Sequence, residues 1–134
     1  MSQENLELVR SIFAAWERGE YGSVEWAHPE ITFVVRDGPT PGSWTGVAAM
    51  AKAWREAMSA FEELRAEADE YRALDDERTL VLMHLSGRGK TSGVEVGDIR
   101  MNGANLFHVR GGKVTRLVLY WDSENARADL GPEA

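Results

Sequence analysis

The chain has 134 residues, 43% of them hydrophobic, so it can bury the core of one domain without a disulfide or a metal. Its formal net charge of -7 at pH 7 argues against a nucleic-acid partner, because an acidic surface repels the phosphate backbone. The absence of cysteine excludes disulfides, thiolate metal ligands and cysteine nucleophiles. No stretch approaches the roughly 20 apolar residues of a membrane span, so we expect a cytoplasmic protein with no membrane partner.

The first predicted element is an amphipathic helix whose charged side chains fill one face. Its apolar positions recur at helical spacing: Leu6, Val9, Phe13 and Trp16. Gly19 predicts the end of this helix, because glycine tolerates the left-handed conformation that closes a helix. A short helical turn over residues 21–26 is expected next, with Ser23 as its cap and Pro29 after it.

A buried strand and a second long helix follow. Residues 31–35 are β-branched and aromatic, as expected of a buried strand, and residues 36–42 form a loop rich in glycine and proline. Ser43 or Thr45 is the expected cap of the helix. The apolar positions of this helix are again at helical spacing: Val47, Met50, Trp54, Met58 and Phe61.

The middle of the chain contains one ambiguous segment and one clear strand. Residues 64–74 have the charge density of an exposed helix, which propensity favours, whereas their leucine and alanines alternate as in an edge strand. Residues 79–85 are apolar on both faces, which predicts a strand in the interior of its sheet. The glycine-punctuated residues 87–93 then predict a reversal of the chain into residues 94–96.

The last part of the chain predicts an antiparallel hairpin. Residues 104–109 and 114–121 have the composition of strands, and Gly111 and Gly112 between them are a strong turn signal. Asp122 is expected to cap a helical turn after the second strand. Helices with one strand, followed by a run of antiparallel strands, predict an α+β fold in which a curved sheet wraps over helices.

Four short segments carry a family resemblance: Trp16-Glu17-Arg18-Gly19-Glu20, His28-Pro29-Glu30-Ile31-Thr32-Phe33, Trp44-Thr45-Gly46-Val47 and Phe107-His108-Val109-Arg110-Gly111-Gly112-Lys113-Val114. In this order and spacing they resemble the nuclear transport factor 2-like superfamily and its SnoaL-like branch. That superfamily includes SnoaL-like polyketide cyclases, ketosteroid isomerases, scytalone dehydratases and limonene epoxide hydrolases. The resemblance covers nearly the whole chain and implies a single SnoaL-like domain over residues 1–134.

The resemblance implies several features that the local patterns do not. Residues 64–74 are expected to form a strand, and the mostly antiparallel sheet is expected to be a cone wrapped around helices, as in cystatin-like folds. The open end of the cone is expected to hold a pocket for a small apolar ligand, without a cofactor. Relatives form homodimers through the outer face of the sheet. The residues expected on that face are Leu106, His108, Val118 and Tyr120.

Two residues correspond to catalytic positions of the ketosteroid isomerases. Asp37 corresponds to the general base, although an aspartate before Gly38 is also typical of a turn. Asn105 corresponds to a protonated acid, and its amide either donates to a substrate oxygen or is satisfied within the core. Ile12 stands where those isomerases have a tyrosine, and Leu119 where the epoxide hydrolases have an aspartate. Steroid isomerisation and epoxide hydrolysis are therefore disfavoured.

Family correspondence also predicts the residues that line the pocket. They are aromatic or large and apolar: Trp16, Trp54, Met58, Phe107, Leu117, Leu119 and Trp121. Packing of an ordinary core is the alternative for each of them. His84 joins them if its side chain faces inward, where it would titrate near neutrality, and otherwise it fills the core or an interface. The three histidines have no metal-ligand spacing, so no metal site is predicted.

Two functions remain open on the sequence. One is acid–base chemistry of the isomerase, cyclase or dehydratase type on a small apolar or polycyclic metabolite, with Asp37 as base and Asn105 orienting a carbonyl. The other is a non-catalytic module that binds such a molecule or acts as a dimeric accessory protein. A shared scaffold does not decide between them, because function depends on the site and not on the fold.

Overall fold

The computed structural model describes residues 2–20, 24–38, 41–58, 61–91 and 94–131. Side chains are described throughout these ranges except at residues 2, 57–58, 61–64, 88–91 and 94–100. The helices are α1 (Ser2–Glu17), α2 (Val47–Met58) and α3 (Ser123–Leu130). The strands are β1 (Ala27–Val35), β2 (Gly42–Thr45), β3 (Phe61–Ala73), β4 (Arg78–Thr91), β5 (Val94–Arg110) and β6 (Lys113–Tyr120). No described helix is both long enough and apolar enough to cross a bilayer.

The six strands form one open sheet in the order β2-β1-β6-β5-β4-β3. The β1–β6 pair is parallel, and the other four neighbouring pairs are antiparallel. The short strand β2 and the long strand β3 are the two edges, so the sheet does not close into a barrel. The predicted α+β class with a mostly antiparallel sheet around helices is confirmed.

The two faces of the sheet are covered by different helices. The main core lies on the inner face, where α1 and α2 pack against alternate strand residues such as Phe33, Met83 and Phe107. The last strand and the residue after it contribute Leu117, Leu119 and Trp121 to this face, two residues apart, as strand geometry requires. A smaller cluster lies on the outer face, where Ala126 and Leu130 of α3 pack on the sheet.

The helix α3 packs on part of the outer face, where the resemblance implies a dimer interface. Three of the residues expected at a dimer interface, Leu106, Val118 and Tyr120, are at most 5% exposed in a single chain. They lie in the cluster that contains Ala126 of α3. Asp122 is the N-cap of this helix as predicted, because its Oδ1 accepts a hydrogen bond of 2.9 Å from the amide of Glu124. The expected helical turn therefore continues into a helix that covers part of that face.

The prediction that Ser43 or Thr45 caps α2 is wrong, because both residues lie in the strand β2. Trp44 pairs with Phe33 across β1 and β2, and their rings lie 6.0 Å apart between centroids. This cross-strand pair holds the segment as a strand, so neither Ser43 nor Thr45 is free to cap the helix. The chain instead turns at Gly46, whose φ of +95° favours glycine, and α2 begins at the next residue.

The remaining differences concern the lengths of elements. The helix α2 ends at Met58, and Phe61, predicted as its last apolar position, begins β3. The strand that the family resemblance assigns to residues 64–74 is confirmed, although propensity favours a helix there. The strand β4 continues through Gly87 to Thr91, so residues 87–91 are strand where the sequence predicts part of a reversal. Residues 92–93, the rest of that predicted reversal, lie outside the described residues. Ser23, the predicted cap, also lies outside them.

Candidate functional site

A cavity of about 280 Å³ lies between the inner face of the sheet and the two helices that cover it. The helix α1 contributes Trp16, and the segment before β1 contributes Val24 and Trp26. The strand β6 contributes Leu117. The helix α2 contributes four residues: Met50, Ala51, Trp54 and Arg55. We call this cavity the tryptophan pocket.

Three indole rings border the pocket, and Trp16 is at their centre. Its ring centroid lies 5.9 Å from that of Trp26 in an edge-to-face arrangement and 5.1 Å from that of Trp54 in a tilted one. Phe107 of β5 packs against Trp16 from the side of the sheet, with 5.9 Å between the two ring centroids. Aromatic pairs at such separations contribute about 0.5–1.5 kcal/mol each beyond their burial. The wall is therefore held in place by ring contacts before any ligand binds.

The chemistry of this lining is simple. Among the described residues that border the pocket, Arg55 is charged, and the others are apolar or tryptophan. No described carboxylate, histidine, tyrosine or hydroxyl side chain lines it. The described lining thus offers flat apolar surfaces and one cation, and none of its residues is an ordinary general base.

Asp37, the predicted base, is bonded to its own chain. Its Oδ1 accepts a hydrogen bond of 2.6 Å from the amide of Trp121. Its Oδ2 accepts one of 3.1 Å from the amide of Asp122 and one of 2.6 Å from Nδ2 of Asn125. These bonds occupy three of the roughly four lone-pair sites of a carboxylate. We call these four residues the Asp37 clasp, and its geometry favours the turn-holding interpretation of Asp37.

Trp121, predicted as a pocket residue, contributes its amide to this clasp and packs its side chain beside it. Its indole lies against Gly38, where an added Cβ would be 2.2 Å from Cδ1 of the ring. Gly38 also has a φ of +85°, which is unfavourable for other residues. The indole is 6% exposed and belongs to the inner core, but it does not border the tryptophan pocket. Trp121 thus anchors the end of the sheet to the loop after β1.

A second link joins α3 to the same end of β1. Asp129 accepts hydrogen bonds from Nε of Arg36 at 2.9 Å and from Oη of Tyr120 at 3.0 Å. The Arg36 guanidinium holds the pKa of Asp129 below its ordinary value, and the Tyr120 hydroxyl acts in the same direction. Burial, together with the bond to Asp129, raises the pKa of Tyr120 to about 12, so its hydroxyl stays a donor at neutral pH.

Asn105 lies deep on the inner face, in register with Val81 and Leu119. It is 1% exposed, and its Nδ2 donates to the thioether of Met83 at 3.1 Å. Its Oδ1 accepts no hydrogen bond from any residue in the described part of the chain. A thioether is a weak acceptor, so this buried amide is poorly satisfied. Asn105 does not border the tryptophan pocket.

The structure places His84 on the outer face, away from the pocket. On β4, Met83 belongs to the inner core and Leu82 packs against the outer cluster, so His84 shares the side of Leu82. Its Nδ1 lies 2.8 Å from Oδ1 of Asp69, and its Nε2 lies 3.3 Å from Oε2 of Glu67. The inward orientation considered for His84 is therefore corrected, and His84 is an outer-face residue between two carboxylates of β3.

The other predicted pocket residues are divided between wall and core. Trp16, Trp54 and Leu117 border the tryptophan pocket. Phe107 and Leu119 are buried in the core and do not border it. Met58 lies at the end of α2, and its side chain is outside the described residues.

Sequence reasoning missed Trp26, Met50 and Arg55 as wall residues, together with the smaller Val24 and Ala51. Met50 follows the same helical spacing as Trp54, which was an available signal. Trp26 precedes a strand, in a segment where the sequence shows no periodicity. Arg55 lies beside the apolar stripe of α2, where a charged residue ordinarily faces solvent.

A second cavity, of about 380 Å³, lies on the other side of Trp16 and Trp26. Ser11 and Glu20 border it from the side of α1, Glu25 from the segment before β1, and Lys113 from the start of β6. Lys113 donates a hydrogen bond to the backbone carbonyl of Glu25 across it. Because charged and hydroxyl groups border it, this cavity is more polar than the tryptophan pocket, from which the Trp16–Trp26 pair separates it.

Comparisons with known proteins show the family and the fold of the chain. The model of the SnoaL-like domain family matches residues 9–117. A candidate polyketide cyclase from Xanthomonas campestris is 21% identical with a TM-score of 0.70, covering 96% of this chain and 98% of that one. TerC, co-crystallised with polyporic acid, is 17% identical with a TM-score of 0.73, covering 93% and 96%.

A third similar structure is a Catenulispora acidiphila protein with a ketosteroid isomerase-like fold, in complex with trimethylamine. It is 16% identical with a TM-score of 0.67, covering 87% of this chain and 85% of that one. At these identities the likeness shows a shared fold. No curated protein sequence matches the chain.

Proposed function

Because the chain belongs to the SnoaL-like domain family, whose members generally bind ligands, we propose that it binds a small planar apolar molecule in the tryptophan pocket. The observation that carries this proposal is the enclosure of one cavity by Trp16, Trp26 and Trp54. Flat rings around an apolar space suit a ligand that is itself flat and apolar. The cavity, of about 280 Å³, is at the small end of the usual range for ligand pockets, which favours a ligand of two or three rings.

The physical chemistry of the lining supports binding rather than conversion of the ligand. Burial of apolar surface contributes roughly 25 cal/mol per Å², and stacking on the indoles adds to it. The ring contacts already hold the Trp16 side chain in place, so binding costs less conformational entropy of that side chain. We therefore expect dissociation constants near the micromolar range, equivalent to about -8 kcal/mol.

Two of the similar structures support a ligand site in this fold. TerC was co-crystallised with polyporic acid, and the Catenulispora acidiphila protein is in complex with trimethylamine. For this chain they favour the class of small organic molecules, and the three tryptophans favour a planar member of that class.

The proposal is tested by calorimetric titration with 2-naphthamide, a neutral molecule with two fused rings. Trp54→Ala removes one wall of the pocket, so we expect its dissociation constant to rise about tenfold or more. Trp44→Ala is the matched control, because Trp44 packs on Phe33 in the strand β2 and does not border the pocket. We expect the control to stay within about twofold of the wild type. Absence of binding to the wild type, or equal binding to Trp54→Ala, would reject the proposal.

A second candidate is the acid–base chemistry predicted from Asp37 and Asn105, and one observation favours it. The Oδ1 atom of Asn105 is buried without a described donor, and a catalytic role is one explanation for such a group. The test is solvent deuterium exchange into 2-tetralone, an enolisable two-ring ketone, followed by proton NMR. Catalysed exchange that is lost in Asp37→Asn would support this function. No catalysed exchange with the wild type would reject it.

The homodimer and the cytoplasmic location also remain proposals. Since α3 covers Leu106, Val118 and Tyr120, we propose that a dimer uses the part of the outer face that α3 leaves open, including half-buried His108. Sedimentation velocity at micromolar concentration tests this, and a monomer at that concentration would contradict it.

A further inference from the structure

We infer that the ligand of the tryptophan pocket carries an acidic group, a carboxylate or a phenolate, which Arg55 binds at the mouth of the pocket. This inference rests on the proposed function, because it assigns the chemical class of the ligand at the same site. It combines two observations: an apolar aromatic cavity and a cation at its edge.

The first step is that Arg55 makes no ion pair with any described residue. Most other described arginines do, as expected in a chain with 22 acidic and 15 basic residues. The paired arginines are Arg18, Arg36, Arg72, Arg78, Arg110 and Arg127. Arg10, Arg65 and Arg116 also form no ion pair within the described ranges, but none of them borders the tryptophan pocket. Arg55 therefore combines a guanidinium that has no ion pair among the described residues with a place in the pocket wall.

The second step concerns the sign of the ligand charge. Aromatic walls alone would also suit an organic cation, because the faces of indole rings attract positive charge. A guanidinium at the same edge repels a cation and attracts an anion. No described carboxylate borders the pocket to compensate that charge. The arrangement of Arg55 with Trp16 and Trp54 thus favours an anion with an aromatic body.

The third step is geometric complementarity. The planar guanidinium presents parallel N–H donors that match the two oxygens of a carboxylate. Arg55 and Trp54 both border the pocket from α2, so the charge and the ring that is expected to stack on the ligand belong to the same cavity. An aromatic acid would place its rings between the indoles and its acidic group toward solvent and Arg55.

The alternative role of Arg55 is electrostatic stabilisation of its own helix, because it lies in the last turn of α2. That role does not depend on any ligand. Lys52 is the control for loss of a positive charge from the same helix, since it is exposed and does not border the pocket.

The experiment measures the affinities of three naphthalene derivatives that differ in charge: 2-naphthoate, 2-naphthamide and 2-naphthyltrimethylammonium. With the wild type, we expect 2-naphthoate to bind about fivefold to tenfold more tightly than 2-naphthamide, and the ammonium compound to bind most weakly. In Arg55→Gln the ratio of the naphthoate affinity to the naphthamide affinity should fall to within about twofold. In Lys52→Gln the preference should persist.

The outcomes separate this inference from the proposed function. Equal binding of naphthoate and naphthamide to the wild type, or an undiminished preference in Arg55→Gln, would overturn the role of Arg55 and leave the pocket proposal standing. Tightest binding of the ammonium compound would overturn the inference in the same way. Binding of none of the three compounds would overturn both.

Discussion

The Asp37 clasp and the tryptophan pocket use their side chains in opposite ways. In the clasp, the carboxylate of Asp37 accepts three hydrogen bonds from the chain itself. In the pocket, the rings of Trp16 and Trp54 contact each other and also border open space. Asp37, which corresponds to a catalytic residue of the ketosteroid isomerases, thus has its carboxylate bonded to the chain itself. Trp16 and Trp54, which have the composition of ordinary core residues, instead border a space that a ligand can fill. The following substitutions test whether the two regions are independent.

The largest effect is expected from Asp37→Ala, which leaves the amides of Trp121 and Asp122 and the side chain of Asn125 without their acceptor. Hydrogen bonds to charged groups contribute roughly 1.5–3 kcal/mol each, and solvent replaces part of this at a half-exposed site. We expect the free energy of unfolding to fall by about 3 kcal/mol in urea titrations. The affinity of the folded variant for 2-naphthamide should not change.

Asp76→Ala is the control for Asp37→Ala. Asp76 is exposed, and its carboxylate forms no hydrogen bond with a described residue. Its loss should change the free energy of unfolding by no more than about 0.5 kcal/mol. Wild-type stability in Asp37→Ala would show that the clasp does not hold this end of the fold.

A somewhat smaller effect is expected from Gly38→Ala. The new methyl group would meet the Trp121 indole at 2.2 Å, and the φ of +85° is strained for alanine. We expect a loss of about 2 kcal/mol in the free energy of unfolding, measured in urea. Gly112→Ala separates the two causes, because Gly112 has a φ of +77° and no neighbouring atom within 4 Å of the added Cβ. The free energy of unfolding of Gly112→Ala should fall by only about 1 kcal/mol. Equal losses in Gly38→Ala and Gly112→Ala would mean that the Trp121 indole moves away from the new methyl group at no cost.

The smallest change in the free energy of unfolding is expected from Asp129→Asn, and it should depend on pH. Because the folded-state pKa of Asp129 lies below its ordinary value of 3.8, its contribution is present above that value and is lost as the pH falls through the folded-state pKa. The wild type should therefore exceed the variant in stability at pH 6, by no more than about 1 kcal/mol for this partly exposed pair. The difference should narrow toward pH 2. A difference that is constant with pH would contradict the ionic role of Asp129.

Local signals account for the parts of the fold that the sequence predicted well. The end of α1 follows from Gly19, which has a φ of +80°, and the start of α3 follows from the side chain of Asp122. The alternation of Leu117, Leu119 and Trp121 onto one face follows from the period of a strand. Each of these features depends on residues within a few positions of one another.

The parts that could not be predicted depend on distant partners. The three donors to Asp37 lie 84 to 88 residues away in the chain, so no local pattern distinguishes a clasp from a base. The strand β2 forms because Trp44 meets Phe33 across the sheet, which competes with capping of α2. The sequence could not predict which face His84 lies on, because the residues of its strand are apolar on both faces. An assignment of the inner face that is wrong by one residue places every side chain of the strand on the opposite face.

The most direct test of the account uses the five tryptophans as reporters. In ¹⁵N-labelled protein, each indole N–H gives its own NMR signal, which Trp→Phe variants assign. Saturation with 2-naphthamide should shift the signals of the three pocket rings, Trp16, Trp26 and Trp54, and leave those of Trp44 and Trp121 in place. A shift of the Trp121 signal with the three pocket signals unmoved would contradict the account, because it would place the ligand at the Asp37 clasp.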